Sequence, residues 1–189
     1  MSQALARSED VSSERESLIL VDSEDRETGF LEKSACHDGP GVLHRAFSLF
    51  VFNRKGQLLI HQRAPGKRLW PDYWSNSCCS HPRRGETMAD AVQRRLAQEL
   101  GLQIPLKYLY KFEYQADYRG IGTEHELCWV YAGHSDAEPA INGAEIRDWQ
   151  WIDPPELDRQ LKQEGGKFTP WFHMEWKRIE RDFKTVLEV

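Results

Sequence analysis

Side chains able to bind a divalent metal are spread over four short segments of this sequence. They are three histidines and two glutamates: His37, His44, His81, Glu124 and Glu126. In a strand, residues two apart point to the same face, so Glu124 and Glu126 would project together while His125 points away. Neighbouring carboxylates repel unless a cation lies between them. Imidazoles with carboxylates suit six-coordinate Mn²⁺ or Mg²⁺, or Zn²⁺ in a distorted site; the alternative is hydrogen-bonded structural histidines and a solvated acidic strand.

Two adjacent cysteines stand just before one of these histidines, in the segment 76–86, NSCCSHPRRGE. The sequence has four cysteines: Cys36, Cys78, Cys79 and Cys128. Adjacent cysteines seldom pair with each other, and the N-terminal segment lacks the apolar centre of an export signal. We therefore expect reduced thiols and a cytoplasmic protein. The segment alone is compatible with a metal site, a nucleophile or a buried loop that contains thiols.

Basic side chains are placed where they could hold a phosphate group. Arg63, Lys67 and Arg68 crowd a loop between two predicted strands, and Lys33 lies earlier in the chain. A diphosphate would need such a set of cations together with Mg²⁺. Basic loop residues are also often merely solvated, and the spacing does not decide between the two interpretations.

A predicted helix carries a second pair of charges. Arg95 and Glu99 continue the face that Met88 and Val92 begin. They could form a structural ion pair at the edge of that apolar face. They could equally line a cleft, with Glu99 binding Mg²⁺ and Arg95 a phosphate oxygen.

Strands and helices that would position these residues follow from hydrophobic pattern and turn residues. The predicted strands are 17–22, 43–52, 57–62, 108–118, 126–132 and 148–153, with a hairpin turn at 53–56, a polar turn region at 22–29 and a loop at 63–86. A helix is predicted over 87–100, started by Thr87 with Asp90 and ended at Gly101. A second helix is predicted over 168–189. This order favours an α+β fold, with a mixed sheet and helices packed on it.

Length and composition limit the function classes. We expect residues 17–189 to form a single domain and residues 1–16 to form a flexible extension. The net charge of -5 gives no reason to expect a nucleic-acid partner. No apolar run approaches the roughly 20 residues that cross a bilayer, so no membrane insertion is expected. We expect a monomer.

The segment Ser80–Leu102 resembles the Nudix box, a loop-helix motif that handles diphosphates through a divalent metal. Matching positions are Glu86, Arg94, Glu99, Gly101 and Leu102. Ser80 replaces the opening glycine, while Arg95 and Gln98 replace two glutamates of the motif. Loss of helix carboxylates weakens the activation of water, so the box is expected to bind a diphosphate without hydrolysing it.

The wider sequence resembles type I isopentenyl diphosphate isomerase from about residue 17 to residue 175. The motifs that carry this resemblance are TGFLEKSACH, LHRAF, QRAPGKRLWPDYWSNSCCSHP, EHELC and FTPWF, in this order around the degenerate box. It implies a Nudix-like mixed β-sheet sandwiched by helices, an α/β/α arrangement. It also implies an isoprenyl diphosphate substrate with an associated Mg²⁺.

Roles for individual residues follow from the same resemblance. It implies that the five His/Glu side chains bind one divalent metal (Mn²⁺, Mg²⁺ or Zn²⁺), and that Glu99 and the Cys79 backbone carbonyl hold the substrate-bound Mg²⁺. The implied catalytic residues are Cys79, Glu126, Tyr114 and Trp171; the implied diphosphate contacts are Lys33, Arg63, Lys67 and Arg95. Cys36 and Cys78 are expected only to pack.

The implied reaction moves a double bond by one carbon through a tertiary carbocation, without a redox cofactor. Glu126, assisted by Tyr114, would deliver a proton and the Cys79 thiolate would remove another, although the two roles could be reversed. Two alternatives remain. One is a Nudix hydrolase of nucleoside diphosphate derivatives, whose pattern has Glu where Arg95 and Gln98 stand. The other is a metal- or ligand-binding protein without enzymatic activity.

Overall fold

Nine strands form the sheet in the computed structural model of the chain, which describes residues 11–186. Their bounds are β1 Ser17–Val21, β2 Glu27–Glu32, β3 His44–Phe52, β4 Leu58–Arg63, β5 Trp74–Ser75, β6 Cys78–Ser80, β7 Lys107–Tyr118, β8 Gly122–His134 and β9 Ile146–Ile152. The helices are α1 Lys33–Cys36, α2 Met88–Leu100, α3 Pro154–Gln163 and α4 Pro170–Asp182. Short 3₁₀ turns cover Gly165–Lys167 and Lys184–Val186.

Strand β3 lies at the centre of the sheet. It pairs in parallel with β8 from His44 opposite Glu126 to Phe52 opposite His134, and antiparallel with β6. Strands β7 and β8 form an antiparallel hairpin, and β1 pairs antiparallel with β2. Parallel and antiparallel pairs therefore occur together, which confirms the predicted mixed sheet.

The predicted turn between β3 and β4 is present, but the two strands separate immediately after it. Gly56 has a positive φ of 73°, which glycine adopts without strain, and the ladder is limited to Phe52 opposite Leu58. Strand β4 pairs instead with β9 and β5, while β6 returns to β3. The separation lets the long segment between β4 and α2 enter the sheet, and this segment carries the adjacent cysteines.

Helices cover both faces of the sheet, which confirms the α/β/α arrangement. Alternate residues of β3 point to opposite faces. Phe47, Leu49 and Val51 share one hydrophobic cluster with α2, whereas Phe50 and Phe52 share the other with α3 and α4. In the described part of the chain, none of the helices combines the length and apolarity needed to cross a membrane.

Helix α2 begins and ends where the sequence predicts. The Thr87 hydroxyl accepts a hydrogen bond from the Asp90 backbone N–H at 3.2 Å, and Gly101 takes the left-handed conformation after the last turn. Arg95 and Glu99 are both buried, at 2% and 3% exposure. The two charged residues that extend the apolar face of α2 are therefore inside the protein.

Some predicted elements differ from the structure. The predicted terminal helix over 168–189 is shorter, because α4 begins at Pro170 and ends at Asp182; residues 187–189 lie outside the described part. Strand β2 begins within the predicted polar turn region, and β5 and β6 lie within the predicted loop. The residues of β2 are exposed or half-buried, so no apolar alternation marks it.

Candidate active site

The five predicted metal ligands converge in the interior. One nitrogen or oxygen from each of His37, His44, His81, Glu124 and Glu126 lies within 4.8 Å of the others. The imidazole ring centroids are 4.9 to 5.6 Å apart, and all five residues are buried. Because the segments are distant in the sequence, only the fold brings them together.

The three histidines lie at the ends of elements, and the two glutamates lie within β8. His37 directly follows α1, His44 is the first residue of β3, and His81 directly follows β6. The parallel register puts His44 opposite Glu126. Gly122 allows the loop of His37 to approach β8, since a Cβ there would lie 2.7 Å from the His37 carbonyl oxygen.

Several polar atoms of this cluster have no hydrogen-bond partner. They are His37 Nε2, His44 Nε2 and Glu124 Oε2. His37 Nε2 and Glu124 Oε2 lie 2.8 Å apart but without hydrogen-bond geometry. His44 Nδ1 lies 2.7 Å from the Val42 carbonyl oxygen, so Nδ1 carries the proton and Nε2 presents a lone pair to the cluster. Unpartnered buried atoms are costly, and a divalent cation among these donors would satisfy them, so the residues fit a metal.

Burial and neighbouring charges shift the protonation of the cluster. Burial, reinforced by the charge of His81, lowers the pKa of His44 to about 3. Burial, reinforced by the charge of Glu124, raises the pKa of Glu126 to about 7. A neutral imidazole is the form that binds metals.

One cavity joins the metal cluster to the other predicted site residues. It is lined by Ser12, Glu14, Lys33, His37, Arg63, Lys67, Arg68, Leu69, Cys79, Ser80, His81, Arg95, Tyr114, Glu124, Glu126 and Trp171. The four predicted catalytic residues and the four predicted diphosphate contacts are all among them. A single ligand could therefore reach both groups.

The Glu126 carboxyl group is held from two sides. Tyr114 Oη donates a hydrogen bond of 2.6 Å to Oε2, and His81 Nε2 lies 2.8 Å from Oε1. Burial and the charge of Glu126 raise the pKa of Tyr114 well above its ordinary value, so the phenol keeps its proton. Tyr114 therefore fixes the carboxyl group while remaining a donor.

The adjacent cysteines point to opposite sides of the sheet. Cys79 pairs with Ser48 of β3 and faces the cavity, where Arg63 Nη1 lies 3.8 Å from its sulfur. Cys78 pairs with Leu49 and is buried in the cluster that contains α2. Burial raises the pKa of Cys79 to about 12, although the Arg63 charge acts to lower it. The strand alternation thus leaves one thiol available to a ligand.

Trp171 forms an aromatic wall of the cavity. Its Nε1 donates a 3.1 Å hydrogen bond to Ser75 Oγ, and Trp70 packs against it edge-on at 5.2 Å. The guanidinium of Arg63 lies 5.4 Å from its ring centroid. These contacts fix the indole in one orientation, and it is only 3% exposed.

The four basic residues predicted to contact a diphosphate lie together, and two of them contact the chain before β1. Arg95 Nη1 donates to the Val11 carbonyl oxygen at 2.6 Å. Lys33 Nζ donates to Ser12 Oγ at 2.6 Å and lies 3.5 Å from Glu14. Residues 11–14, predicted to belong to a flexible extension, thus lie against the cavity; residues 1–10 are outside the described part.

The acidic residues of the Nudix-like segment form ion pairs. Arg95 Nε and Nη2 donate to Glu99 at 2.9 and 2.5 Å, and Glu99 does not line the cavity. Glu86 accepts two hydrogen bonds from Arg94 at 2.6 and 2.7 Å. Of the two interpretations of Arg95 and Glu99, the structural ion pair is present. The binding of Mg²⁺ by Glu99 stays a prediction.

Two buried glutamates near the cavity were not singled out from the sequence. Glu145 precedes β9 and pairs with Lys67 and Arg95. Glu175 lies on α4 with Cys128 Sγ 3.5 Å away, and burial raises its pKa to about 8. Glu175 could have been found, since it is the charged member of an otherwise apolar helical face. Glu145 follows a loop and leaves no periodic signal.

The chain is similar to known proteins over most of its length. The NUDIX domain family matches residues 42–172. Isopentenyl-diphosphate Delta-isomerase 1 of Photorhabdus laumondii is 42% identical over 166 residues, covering 87% of this chain and 94% of that protein. Isopentenyl-diphosphate Delta-isomerase of Burkholderia multivorans is 44% identical over 158 residues, covering 84% and 89%. Among solved structures, DR0079 from Deinococcus radiodurans matches with a TM-score of 0.70 at 24% identity, covering 89% of this chain and 99% of that one, which is a likeness of fold alone.

Proposed function

This chain belongs to the isopentenyl-diphosphate Delta-isomerase family and carries a NUDIX domain, and from that membership we propose how its cavity works. It is an enzyme that interconverts isopentenyl diphosphate and dimethylallyl diphosphate. One observation carries the proposal: Cys79 and Glu126 line the same cavity as four basic residues. A substrate anchored by its diphosphate would place its alkene between a thiol and a carboxyl group.

Isomerisation needs one proton added to a carbon of the double bond and another removed from a carbon on the far side of that bond. An alkene is a very weak base, so the donor must be a good acid and must be held against it. Burial and the charge of Glu124 raise the pKa of Glu126 above its ordinary value, so this carboxyl group can hold a proton for delivery to the alkene. We assign delivery of the first proton to Glu126 and removal of the second proton, from a different carbon, to the Cys79 thiolate.

The proton balance defines the state of the two groups. Before the forward reaction Glu126 is protonated and Cys79 is the thiolate; afterwards Glu126 is the carboxylate and Cys79 the thiol. The proton must then return to Glu126 before the next forward turnover. Reversal of every step converts dimethylallyl diphosphate back, with the thiol as donor. The Arg63 guanidinium beside the sulfur favours the thiolate that the forward direction needs.

The divalent metal would be held by the His37, His44 and His81 imidazoles with Glu124 and Glu126. When bound, it supplies a fixed positive charge beside the Glu126 carboxyl group. Tyr114 keeps the second oxygen of that carboxyl group in place through its 2.6 Å hydrogen bond. The protein therefore orients the donor from both sides before the alkene arrives.

The carbocation formed after the first proton transfer must be stabilised and kept from water. Trp171 offers an indole face in a buried site, where cation–π attraction is worth of order 2 kcal/mol or more. Because Trp70 and Ser75 hold the ring, its face needs no rearrangement when the charge develops. The same wall limits access of water to the reacting carbons.

Binding energy comes from the diphosphate end. Lys33, Arg63, Lys67 and Arg95 present four cations to the cavity, and a substrate-bound Mg²⁺ held by Glu99 and the Cys79 carbonyl would complete the neutralisation. This anchor is remote from the reacting carbons, so its energy serves to orient the alkene. The monomeric state stays a prediction, and the free thiols of all four cysteines support the cytoplasm as the location of the protein.

Incubation with isopentenyl diphosphate, Mg²⁺ and Mn²⁺ in D₂O tests this function. We expect dimethylallyl diphosphate that carries deuterium, detected by NMR and mass spectrometry, and no release of phosphate. Cys79→Ala, shown by circular dichroism to be folded, should give none. A folded wild-type protein that forms no deuterated product would contradict the proposal. Release of phosphate or of isopentenyl phosphate would instead favour a Nudix hydrolase.

A further inference from the structure

Glu145 is tied to the same elements that carry the basic residues of the cavity. It precedes β9 at the end of the segment 135–145, which is fastened to the end of α2 by hydrogen bonds of 2.9 Å from Ala140 N to Leu100 O and from Asn142 N to Glu99 O. The Glu145 carbonyl oxygen accepts from Ala64 N at 2.9 Å, in the loop that leads to Lys67. The backbone around Glu145 therefore links α2 to the loop of Lys67.

The Glu145 carboxylate contacts two of the predicted diphosphate contacts. Oε2 forms an ion pair with Lys67 Nζ and lies 3.4 Å from Arg95 Nη2. Glu145 is 3% exposed and does not line the cavity, whereas both cations do. The carboxylate thus contacts two cations that line the cavity without lining it itself.

Lys67 depends on this carboxylate for its charge and its position. Burial lowers the pKa of the Lys67 ammonium, and the charge of Glu145 acts to raise it. The nearby Arg63 and Lys33 charges add to the lowering. Without Glu145, a half-buried cation would be left among other cations, and the ammonium would turn towards solvent or release its proton.

Arg95 does not depend on Glu145 to the same degree. Two of its nitrogens already donate to Glu99, and a third donates to the Val11 carbonyl oxygen. The 3.4 Å contact with Glu145 is the longest of these interactions. The effect of Glu145 should therefore pass mainly through Lys67.

We propose that Glu145 is a positioning residue for substrate binding, which holds Lys67 in place as a cation for the diphosphate. This inference rests on the proposed function, since it takes the diphosphate site as given. Glu145 touches neither the substrate nor the reacting atoms. Its removal should weaken binding of the diphosphate and leave the two proton transfers nearly unchanged.

The test is a kinetic comparison of Glu145→Gln with Glu138→Gln, an exposed glutamate in the same segment. We expect Glu145→Gln to raise KM for isopentenyl diphosphate about 10- to 100-fold with kcat within about threefold. Glu145→Asp, which keeps the charge, should recover part of the loss, and Glu138→Gln should match the wild type. An unchanged KM in folded Glu145→Gln, or a fall in kcat alone, would overturn the proposal.

A double-mutant cycle separates action through Lys67 from a general loss of structure. In a Lys67→Met background, Glu145→Gln should change KM less than about threefold, because its target is gone. Full additivity of the two effects would contradict the proposal.

Calorimetry with inorganic pyrophosphate and Mg²⁺ distinguishes this inference from the proposed function. We expect Glu145→Gln to weaken binding by the same factor as KM. A wild-type protein that binds pyrophosphate but forms no dimethylallyl diphosphate would reject the proposed function alone. Equal binding by wild type and Glu145→Gln would reject the positioning role alone.

Discussion

The two ends of the cavity are both buried and both polar, but they satisfy their polar groups in opposite ways. At the metal end, the three atoms His37 Nε2, His44 Nε2 and Glu124 Oε2 have no hydrogen-bond partner. At the phosphate end, Lys67 and Arg95 are paired with the carboxylates of Glu99 and Glu145. The metal end needs a cation from solution to satisfy these atoms. At the phosphate end, carboxylates of the chain already pair with the basic residues.

This difference indicates what each end does when its ligand binds. A cation entering the metal end would bind atoms that had no hydrogen-bond partner, so its binding should stabilise the fold strongly. A diphosphate entering the phosphate end must share cations with carboxylates, carbonyls and hydroxyls already present, so part of its interaction energy is offset. Substitutions at the metal end should act on chemistry and stability, and those at the phosphate end on affinity.

The largest effect should come from the reacting groups, where no neighbouring residue can substitute. Cys79→Ala removes the proposed base, and general acid–base catalysis contributes roughly 10²- to 10⁴-fold. We expect kcat to fall by about 10³-fold or more, measured by conversion of labelled isopentenyl diphosphate.

Cys78→Ala is the matched control, because the same change is made one residue away on the opposite side of the sheet. Its sulfur is buried against α2, so we expect lower stability and a kcat within a few-fold of wild type. An inactive Cys78→Ala beside an active Cys79→Ala would show that the wrong thiol was assigned.

The next effect should come from the hydrogen bond that orients the donor. Tyr114→Phe removes the 2.6 Å bond to Glu126 but keeps the ring. Glu126 becomes a carboxylate as it gives up its proton, and a hydrogen bond to a charged group is worth about 1.5–3 kcal/mol, so we expect kcat to fall by roughly 10- to 150-fold with KM little changed. Tyr110→Phe is the control, since its hydroxyl donates to the Glu175 carbonyl oxygen outside the cavity. Equal losses in both variants would show that Tyr114 acts through stability.

Metal binding gives a third test of the comparison. With free Mn²⁺ at 100 times its dissociation constant, the free energy of unfolding should rise by about 2.7 kcal/mol over a chelated sample. His44→Ala should lose this increment. His61→Ala removes a buried histidine outside the cluster, bonded to the Asn76 carbonyl, and should keep it despite lower stability. An increment that survives in His44→Ala would place the metal elsewhere.

Much of the secondary structure was predictable from the sequence because the local sequence signals are strong. Helix α2 has a capping threonine, an apolar face and a terminal glycine, and all three are where the pattern predicts. The Glu124 and Glu126 pair follows from strand alternation. The convergence of the three histidines does not, since it depends on the parallel register of β3 with β8 and on the return of β6. For these residues the resemblance to a family supplied what spacing left open.

Other parts were not predictable because their signals are weak or non-local. The three-residue strand β6 is too short for a periodic pattern, yet its pairing with β3 decides which thiol faces the cavity. The helix interpretation of Arg95 and Glu99 offered an ion pair or a cleft, and the structure shows that Arg95 does both. Glu145 shows the same limit: its role depends on contacts with residues about 50 and 78 positions away in the sequence.

Glu175 extends the comparison, because its Oε2 is also buried without a hydrogen-bond partner although Glu175 is not among the five residues of the metal cluster. The groups that act on it are Ser48, Cys128 and Glu126 on the sheet, and the Tyr110 hydroxyl donates to its carbonyl oxygen. Burial raises the pKa of this carboxyl group to about 8 from an ordinary 4.5. An unpartnered oxygen here therefore indicates a neutral acid, whereas at the metal end it indicates a missing cation.

The pH dependence of unfolding checks this assignment, and its change per pH unit is smaller than the stability increment expected from the metal. Between pH 4.5 and about 8 the folded protein keeps the Glu175 proton while the unfolded chain releases it, so wild-type stability from this group is lost as pH rises. Glu175→Gln stays neutral at every pH. Its stability relative to wild type should therefore grow by up to about 1.4 kcal/mol per pH unit within that window and be constant below it, measured by urea unfolding with chelator throughout. Parallel curves for the two proteins would mean that Glu175 is ionised in the fold, and the distinction drawn between its oxygen and those of the metal end would fail.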